Sequence, residues 1–254
     1  MLVQSEPTDG GAGGQGSRGR GGGPRTLAID TSLPAGSVAA VAGDRRAERA
    51  LAAAADHARL VSAHLAAVAA DLGWRVADAE LVAVVRGPGS FTGLRVGVTT
   101  AKAIAWTTGC RLVAVSAFEV AAALAIRPAE ADAAPLEIAF DAGRGEVYAA
   151  TVVAAPESPV GWLVGPAALR AAAEWVATLP DGAVVAGPAV VGLGPLLAGR
   201  PGVGVAGVDA GSLPAVAAAR IAGLRLAAGT ADDPATLVPE YLRPSYADER
   251  RPGG

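Results

Sequence analysis

Two histidines, one cysteine and one glycine-rich string are the places where this sequence could do chemistry. His57 and His64 are too widely spaced to share a cation. A pair four residues apart puts both imidazoles one helical turn from each other, whereas these lie about two turns, or roughly 10 Å, apart along a helix axis. His57 belongs to a first helical turn and reads as solvated; His64 borders an apolar stripe and reads as a packing or interface residue. The single cysteine, Cys110, can form neither an internal disulfide nor a cysteine metal cluster. With no histidine near it in sequence it makes a poor nucleophile. Peptidase chemistry therefore has neither ligand set nor nucleophile.

The glycine string is Gly87-Pro-Gly-Ser-Phe-Thr-Gly-Leu-Arg-Val-Gly97. A phosphate-binding P-loop needs Lys-Ser/Thr directly after its last glycine, but Leu94 and Arg95 follow Gly93 and Lys102 stands more than two turns on. A dinucleotide fingerprint needs Gly-x-Gly-x-x-Gly, and Gly87, Gly89 and Gly93 are one residue too widely spaced, with Thr92 at the third glycine's place. What remains on residues alone is a tight strand-to-helix turn that opens a smooth helix face.

The elements around that string follow from periodicity. Leu81 to Val85 is an unbroken apolar run and predicts a strand buried on both faces; Thr92 is placed to cap a helix from about Gly93 to Thr108, with Gly109 at its left-handed stop. Gly93, Gly97 and Ala101 recur every four residues, so another backbone can come close to that face. A second helix is predicted from Asp56 to Leu72, with Val61, Leu65, Val68 and Leu72 forming one apolar stripe.

Upstream, Thr26 to Asp30, Gly36 to Val41 and Arg45 to Leu51 read as an antiparallel meander; downstream come a strand Arg111 to Val115 and a helix from Ser116 to about Ile126. A meander followed by crossover units excludes a fold that alternates strand and helix from its first strand. The second part repeats this grammar more loosely: strands at Leu136 to Asp141, Gly145 to Val153, Gly161 to Val164 and Ala183 to Ala186, helices at about Pro166 to Thr178, Pro188 to Ala198 and Leu213 to Ala228, and a closing strand Pro239 to Arg243. The economical reading is one duplicated unit. It divides the chain into a Gly-rich flexible tail over 1–24, a first half over 25–116 completed by the 213–228 helix, a second, degenerate half over 117–243, and a flexible tail over 244–254.

Composition narrows the function classes. Of 254 residues 52% are hydrophobic and 18% charged, enough for a sizeable core. A net charge of -3 supplies no basic field to hold nucleic acid unaided. No apolar run approaches the ~20 residues of a membrane span, and no signal-peptide region stands at the N-terminus, so a cytoplasmic location is expected.

Leu27-Ala-Ile-Asp-Thr-Ser32, Gly87 to Gly97, Ala101-Lys102, Val115-Ser116 and Asp141-Ala-Gly-Arg-Gly-Glu-Val-Tyr148 together resemble the TsaB (YeaZ) family, over about Thr26 to Tyr148 and weakly again at Tyr241 to Arg243. The resemblance implies an α/β, actin-like ATPase fold of two RNase-H-like halves, each a mixed sheet flanked by helices. It implies a subunit with no reactive centre of its own. Its role would be to partner and activate TsaD, which transfers a threonylcarbamoyl group to the adenosine next to the tRNA anticodon. TsaE would join through the TsaB–TsaD pair, and tRNA would be met only indirectly. A homodimer is the expected off-state.

For the partner surface the two helices are expected to contribute Val61, His64, Leu65, Val68, Leu72, Gly93, Gly97 and Ala101 to an intersubunit four-helix bundle. The competing reading is that the same stripe covers the protein's own sheet. In an actin-like fold Asp30-Thr31-Ser32 and Asp141 would sit at the two phosphate hairpins, so a vestigial nucleotide site, or one shared with a partner, stays open. Otherwise these aspartates simply cap turns, a reading the crowding by Arg144 and Glu146 favours at Asp141. No metal and no resident cofactor are expected. The alternative function is an ATP-dependent enzyme such as a small-molecule kinase, which would need a further catalytic carboxylate that the sequence does not offer.

Overall fold

The structure, a computed structural model, describes residues 23–51, 57–126, 135–209, 211 and 213–243. The expected tails, the Asp56 cap and the His57 side chain lie outside what is described.

The meander is β1 (Thr26–Asp30), β2 (Gly36–Ala42) and β3 (Arg45–Leu51); then come α1 (His57–Asp71), a 3-10 turn (Val76–Asp78), β4 (Leu81–Gly87), α2 (Phe91–Thr108) and β5 (Arg111–Ser116). They build a five-stranded sheet in the order β3-β2-β1-β4-β5. The β1–β2 and β2–β3 pairs are antiparallel; β1–β4 and β4–β5 are parallel, as crossovers through α1 and α2 require. Leu27–Ile29 of β1 and Leu81–Val85 of β4 are apolar at every position because both faces are covered. Leu27, Ile29, Val82 and Val84 point into one cluster beneath α1 and α2. Ala28, Leu81, Ala83 and Val85 point into the other, which also takes in α6 (Pro214–Ala227).

After α3 (Ala117–Leu124) and the short β6 (Ala125–Ile126), the second sheet begins with β7 (Leu136–Gly143) and β8 (Glu146–Ala154), continues through β9 (Trp162–Val164), β10 (Ala168–Ala171), α4 (Ala172–Thr178), β11 (Val184–Ala186) and α5 (Val190–Leu197), and ends with β12 (Gly204–Val205). Its path, β10-β8-β7-β11-β12, matches that of the first sheet, with β7–β8 antiparallel and β7–β11 parallel. The third strand is split: β10 pairs with the start of β8 and β9 with its end. A separate ladder joins β6 to β13 (Gly207–Val208).

Helix α6 returns to the first sheet and is tied down at both ends. The Ala215 amide donates to Ser37 Oγ at 3.0 Å and the Leu213 amide to Glu48 at 2.8 Å. Near its C-terminus Arg225 pairs with Glu119 and donates to the Ala114 carbonyl at 2.8 Å.

Four local expectations are corrected. Ser90, not Thr92, caps α2: its Oγ accepts from the Gly93 amide, and Thr92 lies inside the first turn. Residues 168–171 form an edge strand, so the helix expected from Pro166 starts only at Ala172. Ala125 and Ile126 leave the predicted third helix to pair with β13. Pro239 to Arg243 is not a strand, since the Glu240 amide makes a single bond to the Arg86 carbonyl rather than entering a ladder. Among the described residues no helix is long and apolar enough to cross a membrane.

Candidate functional site

The glycine string meets the Asp30-Thr31-Ser32 turn. Thr31 is fully buried, and its Oγ1 donates to the Gly93 carbonyl at 2.7 Å; the Ser90 amide donates to the Ser32 carbonyl at 2.7 Å. The fit leaves no room for side chains. A Cβ on Gly93 would lie 2.0 Å from the Thr31 carbonyl oxygen, one on Gly89 2.2 Å from that of Ser32, and one on Gly97 2.4 Å from Thr31 Oγ1. The backbone that approaches this smooth helix face is thus the protein's own first turn.

In that geometry most of the residues expected at the partner surface lie inside the subunit. Gly93, Gly97 and Ala101 are buried inside the chain, and Val61, Leu65, Val68 and Leu72 fill the cluster between the helix pair and the first sheet. Their apolar area packs against the protein's own sheet, as the competing reading has it. His64 is half-buried at the edge of this stripe, and its Nδ1 makes no hydrogen bond among the described residues.

The surface that α1 and α2 do present is different. Ala58, Ala63, Ala66 and Ala70 are exposed on α1, as are Thr99, Ala103 and Trp106 on α2. Trp106 is 64% exposed, with the Lys102 ammonium 5.5 Å from its ring centroid. Nearer the start of α2, the Arg95 guanidinium lies 3.8 Å over the Phe91 ring and donates to Tyr241 Oη at 3.0 Å. Residues 232–243 form a strap beside this end: the Ala114 amide donates to Asp232, Lys102 donates to the Leu237 carbonyl, and Arg243 pairs with Glu146 across on the β7–β8 hairpin.

Between the two sheets lies a cleft of about 390 Å³. Asp30 and Ser32 form one edge; the rest of its wall is apolar, from α3, β7, α5 and the β12–β13 segment. Asp30 is 3% exposed, and one of its oxygens accepts from both the Ser32 amide at 2.9 Å and the Ser32 hydroxyl at 2.6 Å. Asp141, by contrast, is exposed, accepts from the Gly143 amide at 2.7 Å and does not line the cleft.

An uncharacterised Mycobacterium tuberculosis protein is 32% identical over 229 residues, covering 85% of this chain and 90% of that protein. The structure of YeaZ from Pseudomonas aeruginosa superposes with a TM-score of 0.69 at 26% identity, over 86% of this chain and 100% of that one. The Bacillus subtilis tRNA threonylcarbamoyladenosine biosynthesis protein TsaB is 44% identical over 71 residues, which is 28% of this chain and 29% of that protein. This chain belongs to the TsaB (YeaZ) family. The profile of a related family, "TsaD: tRNA N6-adenosine threonylcarbamoyltransferase", also matches, over residues 51–160.

The TsaB-family chain has the actin-like fold with two RNase-H-like sheets. That fold implies a nucleotide in the cleft, but the residues present do not fit one. A polyphosphate needs amide nests or cations, whereas among the described residues the only titratable side chain in this wall is the Asp30 carboxyl. No three of His, Cys, Asp or Glu gather to hold a metal among the described residues. Burial pushes the Cys110 thiol above its ordinary value, which lowers its thiolate fraction at neutral pH.

Sequence reasoning missed Trp106 and the Phe91–Arg95–Tyr241 cluster. Trp106 did carry a signal, for it falls off the Gly93-Gly97-Ala101 stripe, where a tryptophan has no core to enter. The Tyr241 contact had none, because it joins residues 146 apart.

Proposed function

We propose that this protein is a non-catalytic partner that binds and activates a TsaD-type threonylcarbamoyltransferase in forming N6-threonylcarbamoyladenosine in tRNA. Family membership supports the pathway. The observation that carries the partner role is the outer surface of the α1–α2 pair, where α1 exposes a row of alanines and α2 exposes Trp106. Small residues let helices of another chain approach closely, and tryptophan is a favoured interface anchor. Asp30 is committed to its own turn and Asp141 stands outside the cleft, which supports activation rather than catalysis by this subunit. The acidic balance fits a cytoplasmic subunit that leaves tRNA contact to others. A TsaE-type ATPase would join through the pair, and the same surface would serve a homodimer when the partner is absent.

Co-purification with tagged TsaD from the same organism tests this reading. The native chain should elute with TsaD. Trp106→Ala should cost roughly 2 kcal/mol, or about thirtyfold in affinity. Ala66→Glu should abolish pairing while leaving the melting temperature unchanged, and Leu163→Asp, on the exposed β9 edge, should do nothing. Threonylcarbamoyl transfer by the lone chain, or pairing indifferent to Ala66→Glu and Trp106→Ala, would overturn it. A bulky residue at Gly97 would be a poor probe of this surface, because it disrupts the contact with Thr31 inside the subunit.

A further inference from the structure

The lining of the cleft between the sheets does not suit the ligand its fold implies, yet among the described residues the cleft is neither closed nor filled by side chains. At about 390 Å³ it lies in the size range of small-molecule sites, ~300–1,000 Å³. Its floor includes Phe140, whose ring is held edge-on by Phe118 at a centroid distance of 5.3 Å and an interplanar angle of 88°. Ala121 and Leu124 of α3 form one side. At the rim stand two valines that lie largely in water, Val191 at 90% and Val208 at 65% exposure. An open apolar hollow with apolar rims gains from burying an apolar guest, and a fixed aromatic ring in its floor favours an aromatic one. Apart from Asp30, one oxygen of which already accepts two hydrogen bonds from Ser32, no ionisable side chain among the described lining residues stands ready to pair with a charged guest.

We propose that this cleft binds an uncharged aromatic small molecule. The site is independent of the α1–α2 surface, so its failure leaves the partner reading untouched, and the reverse also holds.

The test is a fluorescence titration of the full chain with N-phenyl-1-naphthylamine, a neutral aromatic probe that brightens out of water. The native protein should take it up saturably, one per chain. Ala121→Phe, which fills the hollow, and Val191→Glu, which puts a charge on the rim, should each weaken uptake by about tenfold or more. Leu163→Asp should leave it unchanged, and millimolar Mg-ATP should not displace the probe. Circular dichroism and melting curves establish that the variants are folded; if Ala121→Phe is not, Val191→Glu decides, because its side chain is in water and cannot upset the core. The proposal is overturned by absence of saturable uptake, as when side chains of a protein partner are the true occupants. It is equally overturned by uptake that folded variants leave unchanged, or by displacement with Mg-ATP.

Discussion

The hairpin turns that follow β1 and β7 occupy equivalent places in the two sheets, and the chain treats them differently. In the first half the turn is clamped from beneath: Gly89, Gly93 and Gly97 press against it, Thr31 bonds to Gly93, and Asp30 closes it with two bonds from Ser32. In the second half Asp141 holds only the Gly143 amide, Arg144 takes a positive φ of 57°, and support comes from the side through Arg243. Equivalent turns in the two sheets thus differ in packing, the first buried and bonded on several sides and the second exposed. An aspartate at the end of a strand reports position in the fold, while its neighbours decide whether it can act.

Four substitutions test that contrast. Gly93→Val should have the largest effect, about 3 kcal/mol or more by urea unfolding, since its Cβ would collide with backbone that cannot retreat. Little loss would mean that the first turn is not clamped at all. Asp30→Ala should cost about 1–3 kcal/mol, because the buried Ser32 amide and hydroxyl lose their acceptor. Arg243→Ala, which frees the second hairpin from the strap, should cost about 1 kcal/mol in the same measurement. Asp141→Ala should stay within about 0.5 kcal/mol, as befits an exposed turn residue. Equal costs for the two aspartate variants would erase the distinction.

Much of the first half was legible in the residues. The Leu81 run, the Val61-Leu65-Val68-Leu72 stripe and the Gly109 stop are strong, local signals, and β4, α1 and the left-handed cap of α2 stand where they indicate. The second half was harder, because its third strand is divided between β9 and β10 and its helices are short. The candidate site was hard to read for another reason. Periodicity shows that a helix has a face to bury and that glycines admit a close neighbour, but it does not say whose surface arrives. Here the neighbour of Gly93 is Thr31, 62 residues earlier in the same chain, and only the folded sheet brings them together.

The strap over 232–243 has a mechanical consequence. Here one peptide is pinned to β5 and α2 at its start and salt-bridged to the opposite hairpin at its end, so any jaw-like opening must first unbuckle it. The segment thus works as a buckle, joining the first sheet's elements to the hairpin of the second.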